Sequence, residues 1–282
     1  MLWMVGFEIK KSMRFLSRWI VGALVLGALL WGCSRDRVSA PPNMVLVSEG
    51  PFIMGSNKID VEQQGAEFGS KKPWYLDEHP EHRVTLPKFF IDRYEVTNRD
   101  YQQFVDATRS RRPPSWVNGV FPTGYENYPV TNVNWFEADR YCRWRQTRLP
   151  TEAEWEKTAR GTDGREFPWG NQFDPRKANT AASDIGHLLP VGSVPQGASP
   201  YGALDMAGNA MEWVDDWYLP YPGSQDPSPL FGKKNKVFRG GGYGSSDGHY
   251  ALSLFYRTAY RSSSPPEEHY VDLGFRCAKS PG

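Results

Sequence analysis

Apolar residues fall in short runs near both ends of the chain and take helical spacing in three places between them. Residues 44–47 (Met-Val-Leu-Val) and 51–55 (Pro-Phe-Ile-Met-Gly) predict two short strands turned at Glu49 and Gly50, in the manner of a hairpin. Residues 83–86 and 89–91 predict two more, separated by Pro87. Three helices are marked by their caps. Thr97 precedes Asp100 by three positions, and Tyr101, Phe104 and Val105 follow as an apolar stripe. Asn134 with Glu137 starts a helix that buries Trp135, Ala138, Tyr141 and Cys142. Thr151 with Glu154, directly after Pro150, starts a third, which presents Trp155 and Ala159 and stops at Gly161. From Phe167 onward periodicity fades into turns until Val237-Phe238-Arg239 and Leu273-Gly-Phe-Arg-Cys277, which predict late, buried strands. So long an irregular stretch inside a compact domain calls for a stabiliser such as a metal or a disulfide.

The N-terminus has a different character. Lys10, Lys11, Arg14 and Arg18 precede an uncharged apolar run from Trp19 to Trp31, a basic region followed by a hydrophobic one too short for a confident membrane span. A start at Met13 would give a more ordinary signal peptide. The run ends Leu30-Trp-Gly-Cys33, which resembles a bacterial lipobox despite the unusual Trp31. Residues 1–33 therefore read as a signal peptide ending in a lipidated Cys33, residues 34–42 as a tether and residues 43–280 as the folded domain. Stable anchoring needs more than one acyl chain, since each buried methylene contributes only about 0.8 kcal/mol. An uncleaved signal anchor is the alternative, and either places the domain outside the cytoplasm. Ser34 rather than Asp after the cysteine resembles lipoproteins sent to an outer membrane.

With 282 residues the chain can bury a sizeable core, and its formal net charge of +1 gives no sign of a nucleic-acid partner. The 27 Gly, 23 Pro and 11 Trp suit a loop-rich, aromatic-packed fold better than a helical bundle. His79 and His82 flank Pro80, which forbids the regular helix that a metal pair would need, so they read as loop histidines. Candidate chemistry concentrates between Tyr201 and Trp217. Asp205 and Glu212 offer carboxylates there, and the carbonyls of Gly208 and Ala210 could point the same way if the segment is extended, since alternate residues of a strand share a face. Hard oxygen donors of this kind suit Ca²⁺. A glycine-bearing turn with solvated acids is the competing interpretation.

Eight stretches, in order, resemble the formylglycine-generating enzyme family, also called the sulfatase-modifying-factor domain. They are Gly50-Pro-Phe-Ile-Met-Gly-Ser56, Tyr94-Glu-Val-Thr-Asn98, Tyr128-Pro-Val-Thr-Asn-Val-Asn-Trp135 and Arg148-Leu-Pro-Thr-Glu-Ala-Glu-Trp-Glu156. Phe167-Pro-Trp-Gly-Asn171, Gly208-Asn-Ala-Met-Glu-Trp213, Arg239-Gly-Gly-Gly242 and Leu273-Gly-Phe-Arg-Cys277 complete the set. The resemblance implies an α+β variant of the C-type lectin fold, with a small twisted antiparallel sheet, a few helices and much irregular loop. It implies bound calcium on Asp205, Gly208, Ala210 and Glu212, and a second site on Asn179, the Thr180 carbonyl and Asp184, with Gly186 as a further candidate. It also implies a structural disulfide between Cys142 and Cys277.

The enzymes of this family need two further cysteines, which bind copper and oxidise a substrate cysteine with oxygen. Here residues 240–257 contain none, and Ser245 or Ser246 stands near the first position. A hydroxyl is a poor ligand for Cu(I), so no copper is expected. Ser245, Asp247 and His249 could in principle form a nucleophile set, but no periodic element positions them. Arg257 and Arg261, with Tyr256 and Tyr260, could be framework, hold a buried carboxylate, or receive an acidic peptide. The resulting expectation is a lipid-anchored, non-catalytic binding or scaffold subunit that holds a protein or peptide of a membrane complex. The alternative is an oxidoreductase of the wider family acting without the cysteine pair, as the resemblance to pyoverdine-maturation members allows.

Overall fold

The computed structural model describes residues 40–61, 63–67, 74–244 and 252–281, all within the compact unit formed by residues 38–282. The expected signal peptide, Cys33 and most of the expected tether lie outside the described residues, as do Ser245, Ser246, Asp247 and His249. Among the described residues, no helix is long and apolar enough to cross a membrane.

The first four strands are β1 (Met44–Val47), β2 (Gly50–Met54), β3 (His82–Leu86) and β4 (Phe89–Asp92), with a single helical turn, α1 (Gln64–Glu67), between β2 and β3. The expected hairpin of β1 on β2 does not form. Instead β2 pairs with β3 and β1 pairs with β4, both antiparallel, from Gly50↔Leu86 inward and Val47↔Phe89 outward. The four strands are thus one long hairpin bent where Ser48 and Glu49 lie opposite Pro87 and Lys88. Pro87 has no N–H for a ladder, which is a physical reason for the break at that point. Short β9 (Ala278–Lys279) completes the outer sheet beside β4.

All three capped helices are present: α2 (Asn98–Thr108), α3 (Trp135–Trp144) and α4 (Glu152–Arg160). Thr97 accepts from the Asp100 N–H, and reciprocal capping boxes close at Asn134 with Glu137 and at Thr151 with Glu154. Each cap contributes about 1 kcal/mol. The remaining strands β5 (Met211–Trp217), β6 (Lys236–Arg239), β7 (Ser262–Ser264) and β8 (Leu273–Phe275) form a sheet in the order β7-β6-β5-β8. One pair departs from the antiparallel expectation, because β8 runs parallel to β5.

Strand β5 is central and buried on both sides. Met211 and Trp213 enter a core with Tyr101, Phe104, Tyr141 and Phe275, where α2 and α3 pack. Val214, on the opposite face, joins Trp155 and Ala159 of α4 in a second core. Strand alternation puts Glu212 on that second face too, so a carboxylate is carried into the interior beneath α4. At the strand's far end Lys236 is held between the Trp135 and Trp217 rings, 3.9 and 4.2 Å from their centroids, and donates to the Asp215 carbonyl. Residues 161–210 contain only three-residue helical turns, as the fading periodicity indicates.

Candidate functional site

The segment from Asp205 to Ala210 is not extended. Asp205, Gly208 and Asn209 all have left-handed backbone, with φ of 57°, 85° and 62°, and strand geometry begins only at Met211. Convergence of residues 208, 210 and 212 by simple alternation is therefore corrected: a tight turn, not a strand, sets where the carbonyls of Gly208 and Ala210 lie. Gly208 is required there twice over. Its φ favours glycine, and a Cβ would sit 2.3 Å from the Asn179 carbonyl oxygen.

Backbone hydrogen bonds stitch this turn to three distant loops. Gly208 N donates to the Gly240 carbonyl, Asn209 N to that of Asn179, and Met211 N to that of Asp272, while Tyr243 N donates to Asn209. The buried Asn209 side chain adds a polar hub. Its Nδ2 donates to Glu95 Oε1 at 2.9 Å, and its Oδ1 accepts from Leu189 N and from Asn179 Nδ2.

Three carboxylates surround the hub, Glu95 and Glu212 buried and Asp205 half-buried. Glu212 accepts at Oε1 from Arg276 Nη2 (2.6 Å) and at Oε2 from Arg276 Nε (2.6 Å) and Trp155 Nε1 (2.7 Å). The register explains this contact: Glu212 lies beside Gly274 on β8, and Arg276 follows two residues later on the same side. Asp205 Oδ2 accepts from Gly192 N at 2.6 Å. Glu95 is 2 % exposed, and its Oε2 is buried without a partner. Burial, and then the charge of Asp205, pushes Glu95 well above the usual carboxylate range. Burial raises Asp205 and Glu212 as well, against the lowering effect of Arg276.

Arg276 is the guanidinium bonded into this group, and its other N–H groups go to the carbonyls of Asp92, Arg93 and Leu204. Ionised, the three carboxylates therefore exceed their local positive charge by about two units, which burial makes expensive. Those donors fit calcium in charge and in hardness. Glu212 has three of its roughly four acceptor positions filled, so it would share an oxygen with Arg276, whereas Asp205 keeps more capacity free. Among the described residues no group of three or more His, Cys, Asp or Glu side chains is arranged to hold a metal unaided. The carbonyls of Gly208 and Ala210 would have to supply the remaining donors.

The second predicted set is less coherent. Asn179 is buried and its Oδ1 has no partner, as has Thr180 Oγ1. The Thr180 carbonyl, however, already accepts from both N and Oγ of Ser183. Asp184 and Gly186 are exposed, both in left-handed turns. Of this set, the structure ties Asn179 to the hub through Asn209. Neither loop histidine forms a metal pair among the described residues: His79 meets the Lys58 carbonyl, and His82 packs edge-on against Tyr221.

The glycine-rich run after β6 lies against the same loops. A Cβ at Gly242 would press on Asp272 Oδ2, and one at Gly244 on Ala181. Tyr256 accepts from Ala181 N. Arg239 before it and the arginines beyond it are committed to carboxylates, all buried except the half-buried Glu166. Arg257 pairs with Glu78 and Glu166, Arg261 with Glu152, and Arg239 with both Glu152 and Glu156. Cys142 and Cys277 form the implied disulfide, with Cα atoms 5.7 Å apart and both residues fully buried.

Helices packed on short mixed sheets, long loops pinned by buried arginines and one disulfide define an α+β domain of the formylglycine-generating-enzyme type. The sulfatase-modifying factor enzyme 1-like domain matches residues 33–281, and the chain belongs to that family. It is 31 % identical over 301 residues to the mouse formylglycine-generating enzyme, covering 87 % of this chain and 77 % of that one. Mouse inactive C-alpha-formylglycine-generating enzyme 2 is 29 % identical over 310 residues, covering 90 % and 92 %. Among solved structures, PvdO from Pseudomonas aeruginosa matches with a TM-score of 0.66 and 26 % identity over 84 % of this chain and 94 % of that one.

Sequence reasoning missed Glu95, Asn209 and Arg276 as members of the hub. A signal was available for two of them. Arg276 interrupts the apolar run Leu-Gly-Phe before a buried cysteine, and Glu95 precedes Val96 where the chain enters a core helix. A charge in such a place is best explained by a buried partner.

Proposed function

We propose that this chain is an exported, lipid-anchored member of the family that binds a protein or peptide partner and does not carry out copper-dependent formylglycine formation. The observation that carries this reading is the cysteine inventory. The chain has three cysteines; two form the disulfide, and the third is Cys33, the expected lipidation site. No thiolate pair is left to hold Cu(I), which prefers soft sulfur ligands. The framework is nevertheless intact, including the buried arginine pairs and the turn at Gly208. That combination supports a domain kept for its surface. A mouse relative named as inactive fits the same interpretation. Calcium, in this reading, is structural: held by Asp205, the carbonyls of Gly208 and Ala210 and a share of Glu212, it stiffens the turn that packs against residues 240–244.

Metal analysis of protein purified from native membranes, paired with an oxygen-uptake assay on cysteine-containing peptides, tests the proposal. Calcium alone with no oxygen uptake is the expected result. A stoichiometric redox metal together with peptide-dependent oxygen uptake would establish an oxidoreductase working without the cysteine pair and overturn the binding role.

A further inference from the structure

We propose that the loop between α2 and α3 docks on the surface of a bilayer containing anionic phospholipid. Its Val117–Val120 tip enters the headgroup layer, while Arg109 and Arg111 meet lipid phosphates. The inference rests on the membrane-anchored reading above and adds to it which side of the domain faces the bilayer.

Three observations carry it. First, the tip is apolar, exposed and rigidly held. Val117 and Val120 are 70 % and 53 % exposed and form a bridge across a tight turn at Asn118 and Gly119. On either side of the tip Trp116 and Phe121 are buried with their rings 5.2 Å apart, and Trp116 Nε1 donates to Asn98 Oδ1 on α2. Arg112 braces the turn by donating to the Gly119 carbonyl and pairing with Asp106. An apolar tip preorganised in this way loses little conformational freedom on docking.

Second, the loop is basic. Residues 107–125 hold Arg109, Arg111 and Arg112 and no acid. Arg109 and Arg111 are exposed, and of the three only Arg112 forms an ion pair among the described residues. Apolar side chains inside a cationic collar suit an anionic membrane interface. Another exposed apolar patch, Phe136 with Tyr270 and Val271, is bordered by the exposed Glu267 and Glu268 and carries the wrong sign. Third, the loop returns to the side where the chain joins the domain. Asn98 Nδ2 and Arg99 N donate to the carbonyls of Tyr125 and Glu126, and Asn127 lines one cleft with Pro42 and Asn43. The expected tether of residues 34–42 spans at most about 30 Å, so it keeps this side close to the bilayer.

The test uses the full-length chain, in which the proposed acylation of Cys33 and the disulfide leave no free thiol. Val117→Cys can then be labelled with an environment-sensitive fluorophore. On vesicles of two parts phosphatidylcholine to one part phosphatidylglycerol the probe should shift to the blue and be quenched by spin-labelled lipid. On phosphatidylcholine alone it should do neither. A probe on Val271→Cys should report water on both. Adding Arg109→Gln and Arg111→Gln should lower the docked-to-free ratio of the tip about 25-fold, at about fivefold per arginine, with the melting temperature unchanged. Raised salt should release the tip with both arginines in place, which needs no charge variant to fold. A probe at position 117 that stays in water on vesicles that carry the protein overturns the docking surface and leaves the anchor standing. Protein that fails to float with either vesicle removes the anchored reading itself. A blue shift in native membranes but in neither lipid mixture assigns the tip to a protein partner and rejects the lipid assignment.

Discussion

Two buried charge clusters, built from the same residue types, sit on either side of α4 and behave differently. On one side Arg160, Arg239, Arg257 and Arg261 interlock with Glu78, Glu152, Glu156 and Glu166. Lys58 closes the rim on Glu166, and Asp77 accepts from Tyr218. Positive and negative groups alternate there, and nearly every oxygen has a donor. On the other side Arg276 pairs with Glu212, while the nearby Glu95 and Asp205 have no guanidinium bonded to them among the described contacts. Burying a charge is tolerable where partners are complete and costly where they are not. The first cluster is therefore balanced within itself, whereas in the second three carboxyls face one guanidinium. The two also differ in what they hold: the first braces the residues after the glycine-rich run, the second braces the turn from which that run hangs.

The comparison can be broken or sharpened in several ways. The largest effect should come from the disulfide that anchors the residue next to Arg276. Cys142 and Cys277 are 135 positions apart. Closing a loop of that size stabilises by roughly 5 kcal/mol in the chain-entropy picture. A Cys142→Ser, Cys277→Ser variant should lose most of that in urea titrations, and non-reducing peptide mapping of the wild type should recover the linked pair.

Next come the arginines themselves. Arg239→Met and Arg276→Met each leave buried carboxylates without their guanidinium, at a cost of about 3–5 kcal/mol. Calcium should separate them. The loss in Arg239→Met should be the same with calcium or chelator, whereas calcium should restore part of the stability of Arg276→Met. Equal behaviour of the two variants would dissolve the distinction between the clusters. A third measurement is calcium alone: at a hundred times its Kd it should add about 2.7 kcal/mol to the wild type. Asp205→Ala with Glu212→Ala should melt lower and lose that response.

The smallest effect tests the edge of the balanced cluster. Asp216 Oδ2 accepts from Glu152 N at the start of α4, and its carboxyl is pushed up to about 6, by burial first and by the charge of Glu152 second. An unfolded Asp titrates near 3.9. Between roughly pH 4 and 6 the folded state thus binds more protons than the unfolded one, so stability falls as pH rises through that window. The side chain is partly accessible, which reduces the cost of ionisation to about 1–2 kcal/mol. Asp216→Asn should keep the cap, flatten that slope and be the more stable protein at pH 7.

What was legible in the sequence follows from how local each signal is. The three helix caps depend on residues three positions apart, and all three were readable from Thr97, Asn134 and Thr151. The irregular region after Phe167 was readable from its lack of periodicity. Pairing of β1 with β4 was not, since Glu49-Gly50 looks like a turn, and only the partner strands show that it is a bend. The buried ion pairs were also hidden. A Glu on α4 such as Glu156 has the same spacing whether it faces water or Arg239, and those partners lie 83 residues apart. The turn at Gly208 was half visible: the donors were chosen from their chemistry, but the left-handed backbone of Asp205 and Asn209 has no signature as strong as glycine's. Arg257 and Arg261, open between framework and peptide recognition, are resolved by Glu78 and Glu152 as framework.

Asp92 has a consequence of a mechanical kind. It pairs with Met44 at the start of β1, grips Arg145 at the end of α3, and accepts from the N–H of Cys277. Tension entering at residue 43 therefore meets a joint at its first ladder position, where one side chain distributes the load to the end of a helix and to the disulfide-linked segment between β8 and β9. Asp92→Ala should lower the force at which the domain unravels from its N-terminal end, even where equilibrium stability is matched by a weakened distant site.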